Sequence, residues 1–292
     1  MLKTQQKGHL MALFCVLVWG STFVISKGLM SFLQPLQLML LRFSIAYITL
    51  WIVHPHWYFK WREEWRFLLM ALFSNTLYCW AENTALTLTQ ASNVSILVTT
   101  SPLVTALVLT VFCKEKLSTR QTVSFAIAFV GVVLVVFNGA FALHLNPLGD
   151  LLALLAAVSW SAYSMLLRRW SESYPSVLIT RKLMFYGILT VLPMVLASGK
   201  AIDFTSLMIP ANFAKLCYLG LLGSATCYML WSSAVSKIGV LGTNMYVNMV
   251  PLVTLVVSAL VLGEKITLVG FVGIVLIISG MIFASVKGKS NE

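Results

Sequence analysis

An acidic residue, Glu82, lies inside the otherwise uncharged stretch LYCWAENTALTL at positions 77–88. Removing a carboxylate from water is costly, so an acid within an apolar helix usually faces an aqueous cavity, where it binds a proton, a cation or a substrate. We therefore predict that Glu82 belongs to a binding site and exchanges a proton there. The alternative is a buried structural ion pair with Arg42, Arg181 or Lys182.

Aromatic, amide and hydroxyl side chains recur beside Glu82 and in other apolar runs. Residues three or four apart share one face of a helix, which places Tyr78 on the face of Glu82. Stacked aromatic faces near a carboxylate suit an organic ammonium through cation–π attraction. The predicted substrate-binding residues are Trp19, Thr22, Tyr78, Trp80, Glu82, Asn83, Ser95, Thr99, Trp160, Tyr163, Tyr228, Asn244, Tyr246 and Asn248. Helix packing is the alternative for Ser95 and Thr99, because small hydroxyl residues let membrane helices approach closely.

The sequence does not indicate other kinds of chemical site. Its histidines lack HExxH spacing and its five cysteines lack paired spacing, so we predict no metal site and no disulfide framework. The tripeptide GKS at 288–290 lacks the upstream glycine of a phosphate-binding loop. No nucleophile is paired with a base, so we predict no catalytic residue, no enzyme activity and no cofactor.

Composition places these residues in a membrane. Of the 292 residues, 59% are hydrophobic and 10% are charged, whereas soluble domains carry about 25% charged residues. Apolar runs of about 20 residues, long enough to cross a bilayer core, recur along the whole chain. We predict an all-α polytopic membrane protein with ten transmembrane helices near 9–27, 35–53, 66–87, 92–112, 121–139, 149–167, 176–197, 213–234, 242–262 and 267–286.

The basic residues predict the orientation of these spans. With the N-terminus inside, the cytoplasmic segments hold 13 lysines and arginines and the outer loops hold 4. Cytoplasmic loops are enriched in these residues, so we expect both termini in the cytoplasm of a bacterium and the spans in its inner membrane. The net charge of +11 then suits lipid headgroups rather than nucleic acid.

The two halves of the chain repeat one pattern. The repeated segments are GHLMALFCVLVWGS and GDLLALLAAVSWSA (from Gly8 and Gly149), SPLVT and VPLVT (101–105 and 250–254), and KEKLS and GEKIT (114–118 and 263–267). The last two matches share an offset of 149 residues. We predict two five-helix repeats, 1–143 and 144–292; because five is odd, the second repeat enters the membrane from the opposite side.

Other recurring residues have expected structural roles. Gly131 and Gly280 align at the same offset of 149, and we expect them to serve helix packing. Pro102 and its counterpart Pro251 should each free a backbone carbonyl one turn earlier. The acids of the two EK motifs, at 115 and 264, are expected to be solvated helix-end charges.

This pattern resembles the EamA-type branch of the drug/metabolite transporter superfamily. The resemblance rests on Trp19 and Trp160, on the stretches 91–118 and 242–267, and on the dipeptide AL at 85–86, and it covers nearly the whole chain. It implies a secondary transporter in which the first four helices of each repeat rock against each other. The fifth and tenth helices are then a peripheral scaffold.

The expected function is secondary active transport, as proton-coupled export of small metabolites such as amino acids or organic amines by alternating access. The cavity is expected near the midplane, between the repeats. An uptake carrier is one alternative, and a membrane enzyme or receptor is another. The expected partners are a small-molecule substrate and membrane lipid, without nucleic acid, for a monomer or homodimer.

Overall fold

The computed structural model describes residues 2–89, 91–112, 114, 118–137, 146–262 and 267–285. Every regular element in those ranges is helical. Five helices there are long and apolar enough to cross a membrane, namely Thr4–Leu29, Pro35–Val53, Pro147–Trp170, Ser176–Ala197 and Pro210–Thr254. Shorter apolar helices cover Ser101–Val111, Thr119–Leu134 and Leu268–Gly280. The prediction of an all-helical, multi-pass membrane protein is confirmed.

The helices follow the apolar runs, with local interruptions. In chain order they are α1 (Leu2–Leu29), α2 (Pro35–Val53), α3 (Trp61–Ala71), α4 (Tyr78–Leu88), α5 (Ala91–Val98), α6 (Ser101–Phe112), α7 (Thr119–Phe137), α8 (Pro147–Trp170), α9 (Ser176–Ala197), α10 (Phe204–Leu207), α11 (Pro210–Tyr218), α12 (Cys227–Asn244), α13 (Val250–Leu262) and α14 (Leu268–Ser285). A first π-helix (Leu72–Leu77) joins α3 to α4, and a second (Leu219–Thr226) joins α11 to α12. A 3₁₀ segment, Met245–Met249, joins α12 to α13.

Local sequence explains where several helices begin and bend. Pro35, Pro147 and Pro210 each stand in a first turn, where a missing N–H costs nothing. Asn146 caps α8 by accepting a hydrogen bond from the backbone N–H of Gly149 at 3.1 Å. Gly239 breaks α12 with φ of 75°, which glycine adopts readily, at the loop predicted between the eighth and ninth spans.

Two predicted spans are discontinuous ahead of their prolines. The fourth is split between α5, which ends at Val98, and α6, which starts at Ser101 before Pro102. The ninth passes through the 3₁₀ segment before Pro251. Proline cannot donate the helical hydrogen bond to the carbonyl four residues earlier, so regular helix gives way at both places.

The helices α7 and α14 pack directly against each other. A Cβ added to Gly131 would lie 2.7 Å from the carbonyl oxygen of Gly273 and 2.7 Å from the amide nitrogen of Ile277. A Cβ added to Gly280 would lie 2.9 Å from Ser124 O and Ala128 N. The two glycines therefore allow close backbone approach, which confirms that they serve packing.

These contacts are reciprocal. Gly131 meets residues 273 and 277, and Gly280 meets residues 124 and 128. Adding 149 to 131, 124 and 128 gives 280, 273 and 277, so each contact has an equivalent in the other half. The later part of α7 thus meets the earlier part of α14, so the two helices run antiparallel. The acids at 115 and 264, and the predicted boundary between residues 143 and 144, lie outside the described residues.

Candidate functional site

A cavity lies in the interior of the bundle, between α1, α2, α4, α8, α12 and the broken fourth and ninth spans. Its lining consists of Trp19, Thr22, Phe23, Arg42, Tyr78, Cys79, Glu82, Val98, Thr99, Ser101, Trp160, Tyr228, Val247 and Val250. Its volume is about 50 Å³. One water needs about 10–15 Å³, so the cavity in this conformation holds a few waters rather than a large metabolite.

The cavity contains one acid and one cation. Glu82 on α4 lies beside the Tyr78 hydroxyl, one helical turn earlier, and within electrostatic range of Arg42 on α2. Arg42 is 8% exposed, and its Nε donates to the Ser224 hydroxyl at 2.9 Å. Arg42 therefore points into the bundle rather than toward the membrane surface.

The other two proposed ion-pair partners of Glu82 lie elsewhere. The Lys182 Nζ contacts both carboxylate oxygens of Glu64, at 2.8 and 2.9 Å. The Arg181 guanidinium donates to the backbone carbonyls of His54 and His56. The alternative that pairs Glu82 with Arg181 or Lys182 is therefore wrong.

Aromatic rings form much of the cavity wall. The Trp19 and Trp160 ring centroids lie 5.3 Å apart in an edge-to-face arrangement, and Tyr78 packs on Trp160 at 5.1 Å. Trp231, fully buried behind the wall, lies 5.0 Å from Trp19. These geometries are favourable for aromatic pairs, so the rings support one another in the absence of a ligand.

Both discontinuous spans face this cavity. Val98 and Val247 line it, at equivalent positions 149 residues apart, and each precedes a proline by four residues. Their carbonyls therefore receive no helical hydrogen bond from Pro102 and Pro251. Irregular backbone at membrane depth is tolerated where it is buried in protein or lines a cavity, and in transporters such breaks accompany substrate and ion sites.

The two π-helices contribute carbonyls to the same region. The carbonyl of Ser74 in the first π-helix accepts from the Tyr228 hydroxyl at 3.2 Å. The carbonyl of Gly223, 149 residues later, accepts from the Trp19 indole at 3.0 Å. The wide π turns thus fix the orientation of two aromatic side chains that line the cavity.

Seven of the predicted binding residues line the cavity, and seven do not. The seven in its lining are Trp19, Thr22, Tyr78, Glu82, Thr99, Trp160 and Tyr228. The remaining seven are Trp80, Asn83, Ser95, Tyr163, Asn244, Tyr246 and Asn248. Their assignment as binding residues stays a prediction.

Local geometry explains why several of these side chains are directed elsewhere. Trp80 lies two residues after Tyr78, roughly 200° around α4. Tyr163 is fully buried and packs on Trp160, 5.2 Å between centroids. The Tyr246 hydroxyl is 2.9 Å from His9 Nδ1, at the start of α1.

The remaining polar side chains are buried within the helical packing. The Asn244 amide donates to the Thr105 hydroxyl at 3.1 Å, and the Asn248 amide donates to the Met245 carbonyl at 3.1 Å. Ser95 is 1% exposed, and its carbonyl accepts from the Thr99 hydroxyl at 2.9 Å. Asn83, on the helix that carries Glu82, is 2% exposed.

Sequence reasoning left out seven residues of the lining: Phe23, Arg42, Cys79, Val98, Ser101, Val247 and Val250. Phe23 is one turn from Trp19, and Cys79 lies three residues before Glu82, so helical spacing was available as a signal for both. The prolines were a signal for Val98 and Val247. Arg42 was visible as a charge within a span, although no polar stripe on α2 marked its face.

No group of three or more potential metal ligands occurs in the described part of the chain. The lining of the cavity instead offers aromatic rings, one acid and one cation. Such a cavity suits reversible binding of a small, amphipathic organic molecule. Fold and cavity together define a polytopic helical membrane protein with an interior cavity.

Comparison with known proteins identifies the family. The family model of the EamA-like transporter family matches residues 6–137 and, a second time, residues 147–286. The chain therefore belongs to the EamA-like transporter family, and the resemblance inferred from sequence is confirmed.

Individual relatives are similar over almost their full length. An uncharacterized transporter of Archaeoglobus fulgidus is 29% identical over 96% of this chain and 98% of its own. A probable amino-acid metabolite efflux pump of Escherichia coli is 24% identical over 94% of each chain. A solved crystal structure superimposes with a TM-score of 0.78 over 96% of both chains at 16% identity, which is a likeness of fold.

Proposed function

We propose that this transporter is a proton-coupled exporter of small metabolites, such as amino acids or organic amines, in a bacterial inner membrane with both termini in the cytoplasm. The observation that carries the proposal is the position of Glu82, an acid in an interior cavity walled by aromatic rings and bordered by two broken helices. A carboxylate there can bind a proton on one side of the membrane and release it on the other. The name of the Escherichia coli relative supports amino-acid metabolites and export.

The same proposal includes ten spans in two inverted repeats. Antiparallel, reciprocal contacts between α7 and α14 support a two-fold relation between the halves. A second reciprocal pair of contacts also supports it. A Cβ on Gly8 would meet residues 237 and 238, and a Cβ on Gly149, which begins the matching repeat segment, would meet residues 88 and 89. Residues 88 and 89 are the equivalents of 237 and 238 at the offset of 149. Rocking of one half against the other would open a cavity that is narrow in this conformation, first to one side and then to the other.

Transport in proteoliposomes tests the proposed role of Glu82. We expect the wild-type protein to move radiolabelled amino acid or amine against its gradient when a proton gradient is imposed, and to stop when a protonophore is added. Glu82→Gln should fold and lose proton-driven accumulation. Glu172→Gln is the matched control, because Glu172 is an exposed acid in the loop between α8 and α9. Undiminished proton-driven transport by Glu82→Gln would contradict the proposal.

Uptake is the alternative within the class of transporters, since a secondary carrier follows whichever gradient it is given. Oppositely directed gradients in the same liposomes separate export from uptake. An enzyme or receptor would leave the external compounds untransported, so the same flux measurement also tests that alternative.

A further inference from the structure

The two charges of the cavity are held apart. Arg42 and Glu82 both line it, yet the ion pairs within 4.0 Å in the described part of the chain are Lys60–Glu63 and Lys182–Glu64. Opposite charges in a medium of low dielectric constant attract strongly, so a direct contact is expected unless other groups hold them. Ser224 binds Arg42 from the second π-helix, and the Tyr78 hydroxyl stands beside Glu82.

Several hydrogen-bond donors of the residues that line the cavity have no acceptor among the described residues. A guanidinium has five N–H donors, and Arg42 uses its Nε on Ser224. Trp160 Nε1 and the Ser101 hydroxyl are buried and have no hydrogen-bond partner in the ranges that the structure describes. Both residues line the cavity, at 5% and 0% exposure. Buried polar groups normally have partners, so these donors indicate a molecule, water or ligand, that accepts hydrogen bonds there.

Acceptor groups are present in the same space. Glu82 offers carboxylate oxygens, and the Val98 carbonyl receives no helical hydrogen bond from Pro102, whereas the Val247 carbonyl accepts from the Val250 backbone N–H. The cavity therefore offers a cation with unused donors together with an anion that can accept hydrogen bonds. A ligand with charge of one sign would satisfy one of these sets and leave the other unpaired.

We propose that the ligand is a neutral α-amino acid, bound as a zwitterion between Arg42 and Glu82. Arg42 would receive the carboxylate in a forked, two-bond arrangement, and Glu82 would receive the ammonium group. The rings of Trp19, Trp160 and Tyr228 would contact an apolar side chain. This inference rests on the proposed function, and it names Arg42 as the residue that distinguishes amino acids from amines.

Two analogue series test the inference on purified protein by ligand-dependent thermal stabilisation. One series is leucine, leucinamide, 4-methylpentanoate and 3-methylbutylamine; the other is phenylalanine, phenylalaninamide, 3-phenylpropionate and phenethylamine. In at least one series, the wild-type protein should bind the amino acid about 10- to 100-fold more tightly than the amide or amine, the ratio that corresponds to a lost hydrogen bond to a charged group.

Variants assign the two ends of the ligand. Arg42→Gln should weaken amino-acid binding by a similar factor and leave amine binding within about twofold. Arg42→Lys, which keeps the charge without the fork, should be intermediate. Arg62→Gln, which removes an exposed arginine at the start of α3, is the matched control and should change neither.

Failure of the inference differs from failure of the proposed function. If wild-type protein binds the amine or the amide as tightly as the amino acid, Arg42 does not bind a ligand carboxylate. The inference is then overturned, while the proposed function survives as a carrier of amines. If no member of either series stabilises the protein or exchanges across liposomes, both are overturned for these substrate classes. The wild-type comparison decides the matter even where Arg42→Gln does not fold.

Discussion

The pair formed by Lys182 on α9 and Glu64 on α3 provides a strong test of the energetics of this fold. Lys182 Nζ lies 2.8 Å from one carboxylate oxygen of Glu64 and 2.9 Å from the other, and the two side chains are 11% and 8% exposed. The Tyr186 hydroxyl donates to the same carboxylate at 2.6 Å. The perturbation is Lys182→Met, which keeps the length of the side chain and removes its charge.

The expected loss of stability in Lys182→Met follows from the hydrogen-bond partners that Glu64 keeps. Without the ammonium group, Glu64 keeps Tyr186 and a long 3.4 Å contact from the Lys60 amide, so a buried charge is left poorly compensated. Breaking a buried ion pair from one side costs about 3–5 kcal/mol. At about 2–4 °C per kcal/mol, the apparent melting temperature should fall by roughly 6–20 °C.

The assay is thermal unfolding in detergent for Lys182→Met, Glu64→Leu and the double variant. The double variant should recover most of the stability lost by Lys182→Met, because replacing both charges with apolar groups is about neutral. Lys60→Met is the matched control: Lys60 is 62% exposed and lies 3.5 Å from Glu63, so its loss should matter little. A fall of less than about 2 °C for Lys182→Met, or a double variant no more stable than the single one, would refute the reasoning.

Two further predictions concern helix packing and capping. Gly131→Ala should lower the melting temperature, because the added Cβ would overlap backbone atoms of α14. Gly28→Ala is the control and should be neutral or slightly stabilising, because open space surrounds Gly28. Equal effects of the two substitutions on the melting temperature would contradict the packing role of Gly131. Hydrogen bonds from Ser206 lower the pKa of Asp203 at the start of α10. Its stabilisation is therefore present above its ordinary pKa of 3.8 and lost as pH falls through the lower folded value. The difference in melting temperature between wild type and Asp203→Asn should therefore shrink as the pH is lowered below about 3.8. A difference that stays constant with pH would exclude ionisation of Asp203 as its cause.

Much of the fold was predictable because membrane spans are continuous apolar runs. Helical spacing also placed Tyr78 and Glu82 together, and the repeat brought Trp19 and Trp160 to equivalent positions; all four line the cavity. These inferences rest on local periodicity and on internal symmetry, and both are visible in one sequence.

Other features depend on contacts that sequence does not display. Asn75 lies three residues before Tyr78, a spacing that puts both on one face of a regular α-helix. Asn75 instead sits in the first π-helix and donates to the Leu183 carbonyl at 2.9 Å. The wider π turn changes the helical phase, so spacing rules fail across it. The inward orientation of Arg42 likewise depends on Ser224, which is 182 residues away.

The π-helices also bear on the history of the chain. A π turn closes its hydrogen bond over one more residue than an α turn, which is the geometry that inserting one residue into an α-helix would give. Adding 149 to the bounds 72–77 of the first π-helix gives 221–226, which fall inside the second, Leu219–Thr226. For the proposed two-repeat organisation, one insertion before duplication of a five-helix unit would account for both. The insertion would then be older than the joining of the two halves, and present-day single five-helix relatives should carry it too.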